Sequence, residues 1–198
     1  VGYRTMSFTA PPPPANVQVP DTSSYTIDVA SAAAHLSQAV RFRTVSLVSP
    51  EEDRKPFTDL QAWMISTYPA FNAVAHREVV NDLTVIYTWE GSDPAQPPLL
   101  LLAHQDVVPV PDDTRAAWTV DPFAGEMRDD AIWGRGSIDD KGSLVLLLEA
   151  AEYLARQGEK PVRTIIFAFG HDEEIGGDDG AVPAAALLQQ RGVRAWFA

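Results

Sequence analysis

The sequence predicts an α/β fold, a layered domain in which a sheet is flanked by helices. Three observations carry this expectation. Leu99–Ala103 is a continuous apolar run of strand length, the pattern of a strand buried on both faces. Arg163–Phe169 reads as a second buried strand. Between them, Ser143–Ala155 reads as a helix with apolar residues nearly all round, hence a buried one. Strands alternating with helices build layered α/β domains.

The remaining elements follow in chain order. Residues 1–25 read as a proline-rich tail or linker, with Pro11–Pro14, Pro20 and a polar Asp21–Ser24 stretch. A spacer is preferred over an SH3- or WW-type ligand because no basic anchor residue is suitably placed. Residues 26–198 read as the folded part. Ala30, Ala33, Ala34, Leu36, Ala39 and Val40 suit a helix that ends around Phe42. Phe57, Leu60, Trp63, Met64 and Tyr68 suit a second, stopped by Pro69. Val79–Trp89 is strand-like with a break near Asn81–Asp82, and Gly91–Pro98 is a turn. Ala184–Gln190 is helical and ends at Gly192, a suitable C-cap. Val193–Ala198 starts another strand. No internal repeat is visible.

The chain has 198 residues and a net charge of −12, with 45% hydrophobic and 21% charged residues. That acidity argues against a nucleic-acid partner, which needs a basic face. The chain has no cysteine, which excludes a disulfide scaffold, a thiolate zinc site and a thiol nucleophile. No apolar run approaches the ~20 residues of a membrane span. The chain starts at Val1, which leaves room for a leader or anchor upstream.

Chemistry concentrates in three segments: LLLLAHQDVVP, IWGRGSIDDKG and FAFGHDEEIGG. They supply His104, Asp106, Asp139, Asp140, Glu173 and Glu174. Unpaired buried charges are costly, and a pair of divalent ions is the most economical reason for so many acids beside buried strands. In HxD, His104 reads as a metal ligand and Asp106 as the carboxylate that orients it. A core histidine followed by an N-capping aspartate is the competing reading. In DDKG, one carboxylate can bridge two ions ~3.5–4 Å apart, or an acid can sit at a helix N-terminus, a job that suits Asp140. In the EE pair, one acid can ligate metal while the other takes a proton from water. The competing reading is a solvated acidic loop. His104 and Asp139 are 35 residues apart, as are Asp139 and Glu174. That spacing ends each motif on a successive βα-type unit, whose loops gather at one end of a sheet.

Together with WTVDPF at Trp118–Phe123, these motifs resemble the M20 metallopeptidase family, closest to its carboxypeptidase S and N-acyl-amino-acid hydrolase branch. The resemblance runs from about Ala30 to the end. It implies a zinc-peptidase-like α/β/α catalytic domain of which residues 26–198 are the amino-terminal part, without the dimerisation domain and carboxy-terminal part. It implies His104, Asp139 and Glu174 as metal ligands, with Asp139 bridging. Glu173 is then the general base, Asp106 supports His104, and Asp139–Asp140 is a cis peptide. The cofactor implied is Zn2+, two ions per full active site, with Co2+ or Mn2+ as substitutes. The reaction implied is hydrolysis of a peptide or N-acyl amide bond next to a free carboxylate. A homodimer is the candidate assembly. Two further ligands are not assigned: His35 and His76 read as surface or packing residues, and His171 as a loop hydrogen-bonder. On this reading the 198 residues alone are inactive. The alternative is a non-catalytic binding protein, or an inactive fragment, that keeps the fold.

Overall fold

The computed structural model describes residues 25–47 and 53–198. The proline-rich tail therefore lies, but for Tyr25, outside the described residues. The elements are α1 (Val29–Arg41), α2 (Lys55–Thr67), α3 (Pro69–Val74), β1 (His76–Val80), β2 (Thr84–Trp89), β3 (Leu99–His104), α4 (Asp112–Arg115), β4 (Glu126–Arg128), β5 (Ala131–Trp133), α5 (Lys141–Arg156), β6 (Ile165–Gly170) and α6 (Ala181–Gln190). A single 3-10 turn, Glu173–Ile175, stands between β6 and α6.

The main sheet has the order β1-β2-β6-β3. β1–β2 and β2–β6 pair antiparallel, whereas β3 and β6 run parallel. Their register, Leu99 with Ile165 through His104 with Gly170, ends both strands at the same level. The two loops that follow are thereby side by side.

Alternation along the strands sorts residues onto two faces. Val85, Tyr87, Trp89, Phe167 and Phe169 point into the larger core with residues of α1, α2, α3 and α5. Ile86, Ile166 and Ala168 point the other way, against Ala184, Leu187 and Leu188 of α6. The result is three layers, α/β/α, with four helices on one face and α6 on the other.

Phe71 of α3 anchors the larger core. Its ring centroid lies 5.0 Å from Tyr87, 5.1 Å from Phe167 and 5.9 Å from Trp89. Glu152 of α5 holds α3 in place by accepting the backbone N–H of Phe71 at 2.8 Å and of Ala70 at 3.3 Å. Those donors need a partner because nothing within the helix supplies one. Phe71→Ala is expected to cost about 3–5 kcal/mol, measured as a shift in the denaturation midpoint at unchanged slope.

Several elements differ from the sequence expectation. β3 is an edge strand, and Leu102 is 57% exposed; among the described residues, Phe197 pairs with Leu99 at its outer side as an isolated bridge. The strand expected at Val193–Ala198 is no more than that bridge. α5 is not buried all round, since Leu146 is 65% exposed. α2 ends at Thr67, before Pro69 as expected, and Pro69 then opens a separate helix, α3, as a first-turn proline. The strand break falls where expected, with Asn81 and Asp82 at positive φ. The β4–β5 hairpin went unread. Its turn is Asp129–Asp130, both at positive φ, where Asn-Gly would have been the legible signal.

Candidate metal centre

The site is assembled from the ends of β3 and β6 and from the turn that opens α5. Only two of the three acidic loops follow strands of the main sheet. DDKG instead comes off the β4–β5 hairpin, so the equal spacing does not reflect three equivalent βα units.

Asp106 holds the first two loops together. Its carboxylate is wholly buried. One oxygen accepts from Ser46 Oγ at 2.7 Å and from the Glu174 backbone N–H at 3.0 Å. The other accepts from the Glu173 backbone N–H at 3.2 Å and lies 3.2 Å from His104 Nδ1. Burial pushes the Asp106 carboxyl up, but the bonds from His104, Ser46 and Glu174 outweigh it and hold the group below the usual aspartate range.

His104 is nearly buried, and its two nitrogens face opposite ways. Nδ1 is turned to Asp106, whose backbone oxygen lies 3.1 Å away. Nε2 lies 2.9 Å from Asp139 Oδ1 and 3.8 Å from Glu173 Oε2. Burial lowers the imidazole pKa, but Asp106 and then Asp139 and Asp140 outweigh it and raise it to about 9.

His104, Asp139 and Glu174 each bring one donor atom to within 4.8 Å of the other two. Burial and then the Asp139 charge hold the Glu174 carboxyl above its usual value. Converging carboxylates beside an imidazole nitrogen fit a divalent cation, which would relieve their repulsion. One nitrogen and two carboxylates are a donor set suited to zinc. The Glu173 and Asp139 side chains are 63% and 74% exposed.

The glycine-rich turn allows this approach. Gly136 has φ +88°, and a Cβ there would lie 2.7 Å from the Val107 side chain. The Asp139–Asp140 peptide is cis. Asp140 begins α5 without capping it; its carboxylate instead accepts the backbone N–H of His104 at 3.3 Å. A cleft of about 410 Å³ runs beside these groups, lined by Val108, Gly134–Asp139 and Glu174.

Three supporting residues were not singled out in the sequence. Gln105 is fully buried and donates to Leu83 O and Phe169 O, both at 2.8 Å, which ties the end of β3 to its neighbours. Lys141 is also fully buried. Its ammonium donates to Ala39 O at 3.0 Å and to Phe42 O, fastening α5 to the C-terminal end of α1. Burial, against the pull of Asp106, lowers its pKa to about 7. Gln105 and Lys141 stand inside the HxD and DDKG motifs, which was the available signal. Ser46 is 60 residues from Asp106, and no local pattern marks it. The other histidines stay out of the cluster. His35 pairs with Glu149, His76 is exposed on β1, and His171 meets Thr84 Oγ1 at 2.7 Å.

The fold is a layered α/β/α domain with a cluster of candidate metal donors at one end of its sheet. Residues 100–198 match Peptidase family M20/M25/M40. The chain is 43% identical over 169 residues to carboxypeptidase S of Saccharomyces cerevisiae, covering 81% of this chain and 29% of that protein. It is 37% identical over 164 residues to the N-fatty-acyl-amino acid synthase/hydrolase of Mus musculus, covering 82% and 32%. In structure it resembles human carnosine dipeptidase 1, with a TM-score of 0.66 at 21% identity over 83% of this chain and 36% of that one. It also resembles an M20 family metallo-carboxypeptidase from Sulfolobus solfataricus, with a TM-score of 0.63 at 21% identity over 83% and 35%. The chain belongs to the M20 peptidase family, and its relatives lie in the branch of carboxypeptidase S and the N-acyl-amino-acid hydrolases. It spans about a third of the length of the relatives it matches. No helix among the described residues is long and apolar enough to cross a membrane.

Proposed function

We propose that this chain is the amino-terminal part of the catalytic domain of a zinc-dependent amidohydrolase, which cleaves a peptide or N-acyl amide bond next to a free carboxylate. The observation that carries the reading is the convergence of His104, Asp139 and Glu174 with a second, separate carboxylate, Glu173, 3.8 Å from His104 Nε2. The names of the relatives, a carboxypeptidase and an N-acyl-amino-acid hydrolase, share a substrate with an amide bond beside a carboxylate.

In this reading His104, Asp139 and Glu174 would hold the two zinc ions, Asp139 as the ligand shared by both, with Co2+ or Mn2+ as substitutes. When bound, the metals supply Lewis-acid polarisation of the scissile carbonyl and acidification of water. Glu173 removes the proton from the attacking water and returns it to the departing amine. Asp106 keeps Nδ1 of His104 occupied, so that Nε2 is the nitrogen offered to metal. It also holds the Glu173 and Glu174 backbones in register with the histidine. Three protein donors are few for two ions that share a bridge, so the 198 residues alone are expected to bind zinc weakly and turn over nothing. The substrate carboxylate and a homodimer are further parts of this proposal.

Chelation tests it. Hydrolysis of an N-acyl amino acid or dipeptide by the protein that carries this chain is expected to stop after metal removal and to return on adding Zn2+. Turnover that survives exhaustive chelation would contradict the reading.

A further inference from the structure

Two apolar side chains in the metal motifs have no role in the chemistry described so far. Val108 stands two residues after Asp106 in LLLLAHQDVVP, and Ile138 directly precedes Asp139 in IWGRGSIDDKG. The fold brings them to one place, since both line the cleft that Asp139 and Glu174 also line. Ile138 is 88% exposed, more than any other large hydrophobic residue among the described ones.

A single exposed apolar residue is ordinary on a protein surface. This one is held by a well-fixed turn at the candidate site. The Arg135 backbone N–H donates to Pro122 O at 2.7 Å. The Ser137 N–H and hydroxyl both donate to Gly134 O, at 3.3 and 2.9 Å. The start of α5 packs so closely on the turn that a Cβ at Gly142 would lie 2.6 Å from Ser137 O. None of these contacts uses the Ile138 side chain, so the hydrogen bonding of the turn does not require an apolar residue there. A β-branched side chain has few rotamers to lose when a ligand covers it, and covering its apolar area is favourable. The Ile138 Cα is one peptide link, about 3.8 Å, from that of Asp139. An amide bound at the cluster thus has its first substituent atoms within reach of the Ile138 side chain.

We propose that Ile138, with Val108, forms an apolar subsite for an aliphatic substituent flanking the scissile amide, and that Ile138 sets the preferred size of that substituent. The inference rests on the amidohydrolase reading and deepens it by naming the part of the substrate that this cleft selects. The acyl chain and the amino-acid side chain are the two sources of such a group. Their chemistry is the same, and the experiment separates them.

The test measures kcat/KM of the protein that carries this chain over two substrate series. One lengthens the acyl chain of an N-acyl glycine from acetyl to octanoyl. The other lengthens the side chain of an N-acetyl amino acid from glycine to norleucine. Wild type is compared with Ile138→Ser, Ile138→Leu and a control, Leu146→Ser, which removes an exposed apolar side chain that does not line the cleft. Metal content and the denaturation midpoint are recorded for each. In wild type, kcat/KM is expected to rise about two- to fourfold for each added methylene. Ile138→Ser flattens that rise at unchanged metal content, Ile138→Leu keeps most of it, and Leu146→Ser leaves it as in wild type. The series in which the rise and its loss occur identifies the occupant as acyl chain or side chain. The same slope in Ile138→Ser as in wild type, or a loss equal at every length, overturns the inference and leaves the hydrolase reading standing. So does a fall in the denaturation midpoint with the slope retained, which would show that Ile138 packs against the rest of the protein. A wild-type protein that hydrolyses neither series overturns both.

Discussion

Glu173→Ala is expected to lose turnover while keeping its metal, and Glu174→Ala to lose the metal itself. The two residues are adjacent in sequence but differently placed. Glu174 brings an oxygen into the three-donor cluster with His104 and Asp139, and burial and the Asp139 charge hold its carboxyl above the usual range. The Glu173 side chain is 63% exposed, 3.8 Å from His104 Nε2, and is not among those three donors. Removing a general base costs about 10²–10⁴ in rate. Metal analysis and kcat measured on the same preparations separate the roles. Equal metal loss in the two variants would sink the division of labour.

Asp106→Ala is the second large effect, and it reaches both stability and metal affinity. The change leaves the Ser46 hydroxyl, the Glu173 and Glu174 backbone N–H groups and His104 Nδ1 without their shared acceptor in a buried site. Breaking a buried charged arrangement by deleting one partner costs about 3–5 kcal/mol. Loss of the group that orients a metal-binding histidine costs about 10- to 100-fold in affinity. Asp106→Asn keeps the volume but puts an NH2 where an oxygen now accepts, so it is expected to fall between wild type and Ala. Denaturation of the metal-free protein and zinc titration of the folded protein check the two effects separately. A variant that binds zinc as tightly as wild type would show that Asp106 has no part in presenting His104.

How much of this was legible in the sequence depends on how local each signal is. β6 and the helix at Ser143–Ala155 were readable because strand and helix periodicities are properties of a few consecutive residues. The candidate donors were readable because each sits in a short motif just past an apolar strand or in a glycine-rich turn. Leu102 was misread because its exposure is set by which strands flank β3, and an edge strand can carry the same apolar run as a central one. The β4–β5 hairpin was missed because each strand is three residues long and its turn is made of two aspartates. Spacing also misled: DDKG reaches the cluster from a hairpin outside the sheet, although it is as far from His104 as from Glu174. Asp140 looked like a helix-terminal acid, yet its carboxylate bonds to the backbone of His104. Ser46 and the acceptors of Lys141 lie far away in the chain, so only the folded structure brings them to the site.

The central claim is that His104, Asp139 and Glu174 are donors to one metal site. The most direct measurement is anomalous diffraction at the zinc edge from crystals of the protein that carries this chain, grown with Zn2+. The account predicts zinc peaks about 2.0–2.2 Å from His104 Nε2, from a Glu174 carboxylate oxygen and, shared between two ions, from the Asp139 carboxylate, with Glu173 outside bonding distance. Zinc bound elsewhere, or a well-ordered cluster with no zinc at saturating concentration, would contradict it.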